Sequence, residues 1–188
     1  MRHFSVRPTL TIRGRKFKGL RGWAGKPFHP PLTDFPVAAY ILAAVFDVIS
    51  AAGGDSHGWA TDFWHAGTYT FIGGAVVSVL AALTGFWDWW KSSTPGTQAR
   101  RTINTHAWSM IVVTVLALVD IAIRLSQYNT EAATPTGVLV LSIVIALLVS
   151  FGALYGGALV YEYGFNVETS GDHPVWHVSE EDVFPGEH

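Results

Sequence analysis

Four long apolar stretches dominate the pattern of hydrophobic and polar positions along this chain, and they cover roughly residues 35–52, 66–88, 107–125 and 137–161. A helix crosses the hydrocarbon layer of a membrane with about 20 residues, a length that the first stretch barely reaches. A soluble bundle would need polar stripes at helical spacing, and 76–86 and 138–149 have almost none. The pattern therefore predicts an all-α fold, an integral membrane four-helix bundle.

The charged residues divide the chain into three parts. Eight of the twelve lysines and arginines lie in the first 26 residues, and seven of the fourteen acids lie in the last 27. We therefore expect a basic cytoplasmic or interfacial arm, a transmembrane domain and an acidic cytoplasmic tail, with bounds at 1–26, 27–167 and 168–188. The arm is expected to bind anionic lipids at the membrane surface rather than nucleic acid.

Orientation follows from the loops between the stretches. The second loop contains Lys91, Arg100 and Arg101, whereas the first and third loops contain neither lysine nor arginine. Because basic loops stay on the cytoplasmic side, both termini are predicted to be cytoplasmic.

Composition excludes several kinds of chemistry. The chain has no cysteine, which rules out disulfides, thiolate metal sites and iron–sulfur clusters bound through cysteine. It also lacks a glycine-rich phosphate loop and the metalloprotease and serine-hydrolase signatures. We therefore expect no catalytic activity of its own.

Ionisable residues inside the apolar stretches are the first candidates for function. Asp47 and Asp120 are both predicted in the outer half of the bilayer, where an unpaired charge is costly. Arg124 follows Asp120 by one helical turn and is its natural partner. Asp47 has no partner on its own helix, so it is either protonated or paired across the bundle with Arg124, His65 or a polar group such as Ser78. These residues can form a polar clamp that fixes helix register, or a proton or ion relay.

Two histidines at the predicted inner rim are the second group of candidates. His29 precedes the first span, and His106 opens the third. Two imidazoles at similar depth on different helices can bind one b-type haem axially. Asp34 and Asp88 are then candidates to orient the second ring nitrogens. The alternative is that each histidine only caps a turn or helix end.

Two spacing patterns predict how the helices associate. Asp47 and Asp88 are separated by almost the same interval as Asp120 and Glu162, which suggests a repeat of two helix pairs about an axis along the membrane normal. Gly152 and Gly156 form a GxxxG motif that allows close helix contact, within one bundle or between two copies.

The order of these residues resembles a known family. The chain has His29-Pro30 and Phe35-Pro36 at the mouth of the first helix, and then, in order, Asp47, Gly85, Asp88, His106, the run Gly156-Gly157-Ala158-Leu159-Val160-Tyr161, Gly164 and Val167. This pattern is similar to a bacterial family of predicted four-helix membrane proteins, domain of unknown function 2231, over about residues 25–167. Members stand alone or are joined to Rieske iron–sulfur domains. The resemblance implies a four-span protein of the bacterial inner membrane in a redox setting, and it implies no established activity.

Three functions remain open from the sequence. The first is a non-catalytic accessory subunit of a membrane complex, respiratory or otherwise redox-linked, working with a membrane-protein partner or as a homo-oligomer. The second is a haem- or quinone-linked electron-transfer protein that uses His29 and His106. The third is a proton or ion pathway through Asp47, His65, Asp120 and Arg124.

Overall fold

A computed structural model describes residues 28–165, and in that part of the chain it contains four long helices and no strand. The helices are α1 (His29–Gly53), α2 (Gly58–Ser92), α3 (Gln98–Gln127) and α4 (Thr136–Tyr161), and a 3₁₀ turn (Gly54–Ser56) links α1 to α2. All four helices are long and apolar enough to cross a membrane. The prediction of an all-α membrane four-helix bundle is thus confirmed. The predicted basic arm (1–26) and acidic tail (168–188) lie outside the described residues.

The helices begin earlier in the chain than the apolar stretches do. Thr97 caps α3, its hydroxyl accepting a hydrogen bond from the Arg100 amide at 3.1 Å, so the polar segment before the third stretch is helical. His106 therefore lies two turns inside α3 and does not open it. His29 is the first residue of α1, with prolines in the first turn, where the missing proline N–H is tolerated.

Contacts between the helices define an up-and-down ring. The start of α1 meets the second half of α2 through His29 and Ala81, and the first half of α3 meets the second half of α4 through His106 and Gly152. Helix α1 also packs against α4, and α2 packs against α3. Helices α1 and α3 are thus parallel and diagonal to each other. We call the end with His29 and His106 the histidine end and the opposite end the ion-pair end.

An apolar core separates the two ends. It consists of buried side chains from all four helices, namely Tyr40, Ala43, Phe71, Ala75, Val113, Ala117, Ile145 and Val149. Tyr40 and Phe71 stack in a tilted pair with ring centres 4.8 Å apart. On the outside, large apolar side chains such as Leu83, Leu147 and Leu154 are exposed, as expected where a helix faces lipid. The bundle therefore keeps its polar side chains at two separate levels.

Candidate functional site

At the histidine end, each histidine is fixed by a main-chain carbonyl of the neighbouring helix. His29 Nδ1 lies 2.9 Å from Ala81 O, and His106 Nδ1 lies 2.8 Å from Gly152 O. A carbonyl oxygen only accepts hydrogen bonds, so each Nδ1 carries the proton and donates it. The Nε2 atom of each neutral imidazole then keeps a lone pair, which is the form that binds a metal.

A glycine four residues beyond each carbonyl makes room for the imidazole. A Cβ atom added at Gly85 would lie 2.5 Å from His29 Cε1, and one added at Gly156 would lie 3.2 Å from His106 Cε1. Residues four apart lie on one helix face, so the carbonyl and the glycine together form the seat of each ring. The GxxxG motif of α4 is thus used inside the bundle. The pair α1 and α2 and the pair α3 and α4 both have this arrangement. The predicted repeat of two helix pairs would produce such a similarity.

The two rings lie close together across the bundle, with their planes nearly perpendicular. Their centres are 6.1 Å apart and their planes are 77° apart. A metal-bound imidazole nitrogen lies about 2 Å from the metal and the ring centre about 1 Å further, so two rings that share one metal atom lie about 6 Å apart. The separation of His29 and His106 fits two ligands of one metal atom. Among the described residues, no group of three or more histidines, cysteines and acids is arranged to hold a metal ion.

Main-chain carbonyls take the role predicted for two carboxylates. Asp34 is exposed, because five residues after His29 its side chain points about 140° around the helix from the histidine. Asp88 is buried on α2, three residues beyond Gly85. The expectation that these acids orient the ring nitrogens is wrong for Nδ1, since Ala81 O and Gly152 O accept from it.

At the ion-pair end, one arginine binds two carboxylates. Arg124 Nε donates to Asp120 Oδ2 at 2.6 Å. Its Nη1 donates to Asp47 Oδ1 at 3.1 Å, and its Nη2 to Asp47 Oδ2. All three side chains are fully buried. The predicted pairing of Asp120 with Arg124 and the pairing of Asp47 across the bundle therefore come together in one group, which we call the ion-pair cluster.

Side chains from α2 and from the loop before α4 enclose this cluster. Thr134, in the loop before α4, donates to Asp47 Oδ1 at 3.2 Å, and Thr68 Oγ1 accepts a long hydrogen bond, 3.4 Å, from Arg124 Nη1. The guanidinium lies over the rings of Phe71 and Trp64, 4.8 and 5.4 Å from their centres. The cluster thus ties α1, α2, α3 and the loop before α4 together.

Three buried polar atoms at this end have no hydrogen-bond partner among the described residues. They are Asp120 Oδ1, Trp64 Nε1 and Gln127 Oε1. Buried polar atoms are nearly always paired, so an unpaired group marks a place where something is bound or exchanged, or where water enters.

His65 does not bind the cluster, contrary to our expectation. Its Nε2 lies 3.3 Å from Tyr128 O, and its ring stacks on Tyr128 with centres 4.3 Å apart. Trp64 and Thr68 contact Arg124 in the cluster but were not among the residues predicted for it. Together with Phe71 they are spaced i, i+4, i+7, a one-face pattern that could have been found.

Comparison with known proteins identifies a family. The sequence model of a family described as "Predicted membrane protein (DUF2231)" matches residues 25–169. No curated protein and no solved structure matches this chain. The match covers the whole described bundle, including both polar ends.

Proposed function

The chain belongs to this family of predicted membrane proteins, and from the histidine end of its bundle we propose that it binds one b-type haem through His29 and His106 and carries electrons within the membrane. The observation that supports this function is the paired geometry of the two rings. Each Nδ1 is held by a carbonyl, each Nε2 keeps its lone pair, and the ring centres are 6.1 Å apart.

The donor set favours a haem over a bare ion. A structural zinc ion takes four protein ligands. A haem brings four nitrogens of its own and needs two axial ligands, which a histidine pair supplies. His29 and His106 lie on diagonal helices of the membrane bundle, and their two imidazoles match the haem's need for two axial ligands.

The protein's own residues would tune such a group. A hydrogen bond from Nδ1 to a carbonyl fixes ring orientation and raises the basicity of Nε2, which strengthens axial ligation. Helices α2 and α4 supply these carbonyls as rigid elements, and their glycines set how closely each ring approaches. The bound haem would supply one-electron chemistry.

An electron carrier needs a donor and an acceptor, and we infer that at least one is another membrane protein or a quinone. The chain has no cysteine for an iron–sulfur cluster of its own. The protein then works as the electron-carrying subunit of a redox complex in the bacterial inner membrane. This proposal combines two of the functions left open by the sequence, an accessory subunit and an electron-transfer protein.

The direct test is the haem content and visible spectrum of protein purified in mild detergent from cells supplied with a haem precursor. We expect one haem per chain, with low-spin b-type bands that sharpen on reduction with dithionite. A colourless protein from haem-replete cells would overturn the proposal.

Substituting one glycine tests the seat of His29. In Gly85→Ala the added methyl group would overlap His29 Cε1, so the ring must move away from Ala81 O. Because disturbing the groups that orient a ligand costs about 10- to 100-fold in metal affinity, we expect a loss of that size in haem affinity. Gly73→Ala is the matched control on the same helix, because a Cβ there meets no atom within 4 Å. Equal haem affinity in both variants would show that Gly85 has no part in the site.

A further inference from the structure

We propose that the ion-pair cluster is a proton-binding site that holds one exchangeable proton on Asp120. It lies at the opposite end of the bundle from the histidines and is independent of the proposed haem.

The charges of the cluster do not balance without a proton. Asp47 and Asp120 are two carboxylates and Arg124 is one guanidinium, and all three side chains are fully buried. With both carboxyl groups ionised, the cluster has a net charge of −1 in a low-dielectric environment, which is costly unless the charge is paired or neutralised. One added proton makes the group neutral.

The hydrogen bonds indicate which carboxylate takes the proton. Both oxygens of Asp47 are engaged, Oδ1 with Arg124 and Thr134 and Oδ2 with Arg124. Asp120 uses only Oδ2, for Arg124 Nε. Its Oδ1 is buried and has no partner in the described part of the chain, so it is the open position for a proton.

Among residues 28–165, the surroundings of the cluster supply no competing charge. From α1 the cluster is faced by Asp47, from α2 by Thr68, Trp64 and Phe71, and from the loop before α4 by Thr134. Of these, only Asp47 is charged. On α3 itself, Gln127 is the last helical residue and lies one turn beyond Arg124. Its buried oxygen has no partner among the described residues and is an available acceptor at this end of the helix.

Infrared spectroscopy tests this proposal by the C=O stretching band of a protonated carboxylic acid. We expect purified wild-type protein at neutral pH to show such a band, shifted in D₂O. Asp120→Asn should remove it. Asp47→Asn should also remove it, because one carboxylate and one guanidinium then balance without a proton. Asp62→Asn, at an exposed position of α2, should leave it unchanged. A missing band in the wild type, or one that survives both cluster variants, would overturn the proposal.

The pH dependence of unfolding gives a second measurement. At neutral pH the unfolded chain has released this proton while the folded chain holds it, so stability falls as pH rises. One proton corresponds to about a tenfold change in the folding equilibrium per pH unit. We expect this dependence in the wild type and its loss in Asp120→Asn. Equal pH profiles for the two proteins would contradict a proton on Asp120.

Discussion

Replacing either His29 or His106 with alanine is expected to abolish six-coordinate haem binding. Each substitution removes one axial ligand together with its hydrogen bond to the carbonyl of Ala81 or Gly152. The loss in haem affinity should exceed the roughly 100-fold that follows from disturbing only the groups around a ligand. Titration of haem into the purified apoprotein, followed in the visible spectrum, measures it.

Two other histidines provide controls for this result. His65→Ala removes a half-buried imidazole whose contacts are with Tyr128. His57→Ala removes an exposed one bonded to Gly53 O. Both variants should bind haem as the wild type does. Added imidazole should restore a six-coordinate spectrum to His106→Ala by filling the space that the side chain leaves. Wild-type affinity in both alanine variants of the pair would refute the assignment of His29 and His106 as ligands.

The second large effect is expected at the opposite end of the bundle. Arg124→Met keeps an unbranched apolar stem but removes the guanidinium that binds two buried carboxyl groups. Removing one side of a buried ion pair typically costs about 3–5 kcal/mol, because the remaining charge is left uncompensated. We expect a loss of that size in the free energy of unfolding, measured by denaturant titration in detergent micelles.

A neutralised variant separates charge from packing. The triple substitution Arg124→Met with Asp47→Asn and Asp120→Asn removes all three ionisable groups with little change in volume. Replacing a whole buried ion pair with neutral groups is often close to neutral for stability, so the triple variant should recover most of the loss. If Arg124→Met alone unfolds like the wild type, the cluster does not hold the helices together.

Hydropathy was enough to predict the fold, because the part of a helix that crosses the hydrocarbon layer must be apolar over about 20 residues. The same logic located the interior acids, since a charge within an apolar stretch needs a partner. Arg124 is one turn from Asp120, so that pair followed from sequence. For Asp47 the sequence left protonation and pairing across the bundle open, and Arg124 is the partner that the structure shows. The proximity of His29 and His106 followed from their similar predicted depth.

Side-chain direction set the limit of the sequence reasoning. Asp34 points away from His29 because both lie on α1 five residues apart, and the apolar stretch, which begins at about residue 35, did not reveal that the helix already includes His29. The carbonyls of Ala81 and Gly152 are accessible to the histidines because a glycine lies four residues further along the same helix, and backbone acceptors leave no mark in the sequence. Thr134 lies in a loop and reaches Asp47 only through tertiary packing.

The two polar ends should respond independently to substitution. His29 and Asp47 are 18 residues apart on α1, which corresponds to about 27 Å along a helix, with the apolar core between them. Sites so far apart without shared partners usually have additive effects. Cluster variants should therefore leave the haem spectrum unchanged.

Electron paramagnetic resonance of the oxidised protein is the most direct measurement of the central proposal, because the signal of ferric haem reports both axial ligands and their relative orientation. With the ring planes 77° apart, two histidine ligands should give a low-spin signal of the strongly anisotropic type produced by near-perpendicular imidazoles. It should be absent from His29→Ala and His106→Ala. A high-spin signal, or no haem signal at all, from haem-replete wild-type protein would contradict the account.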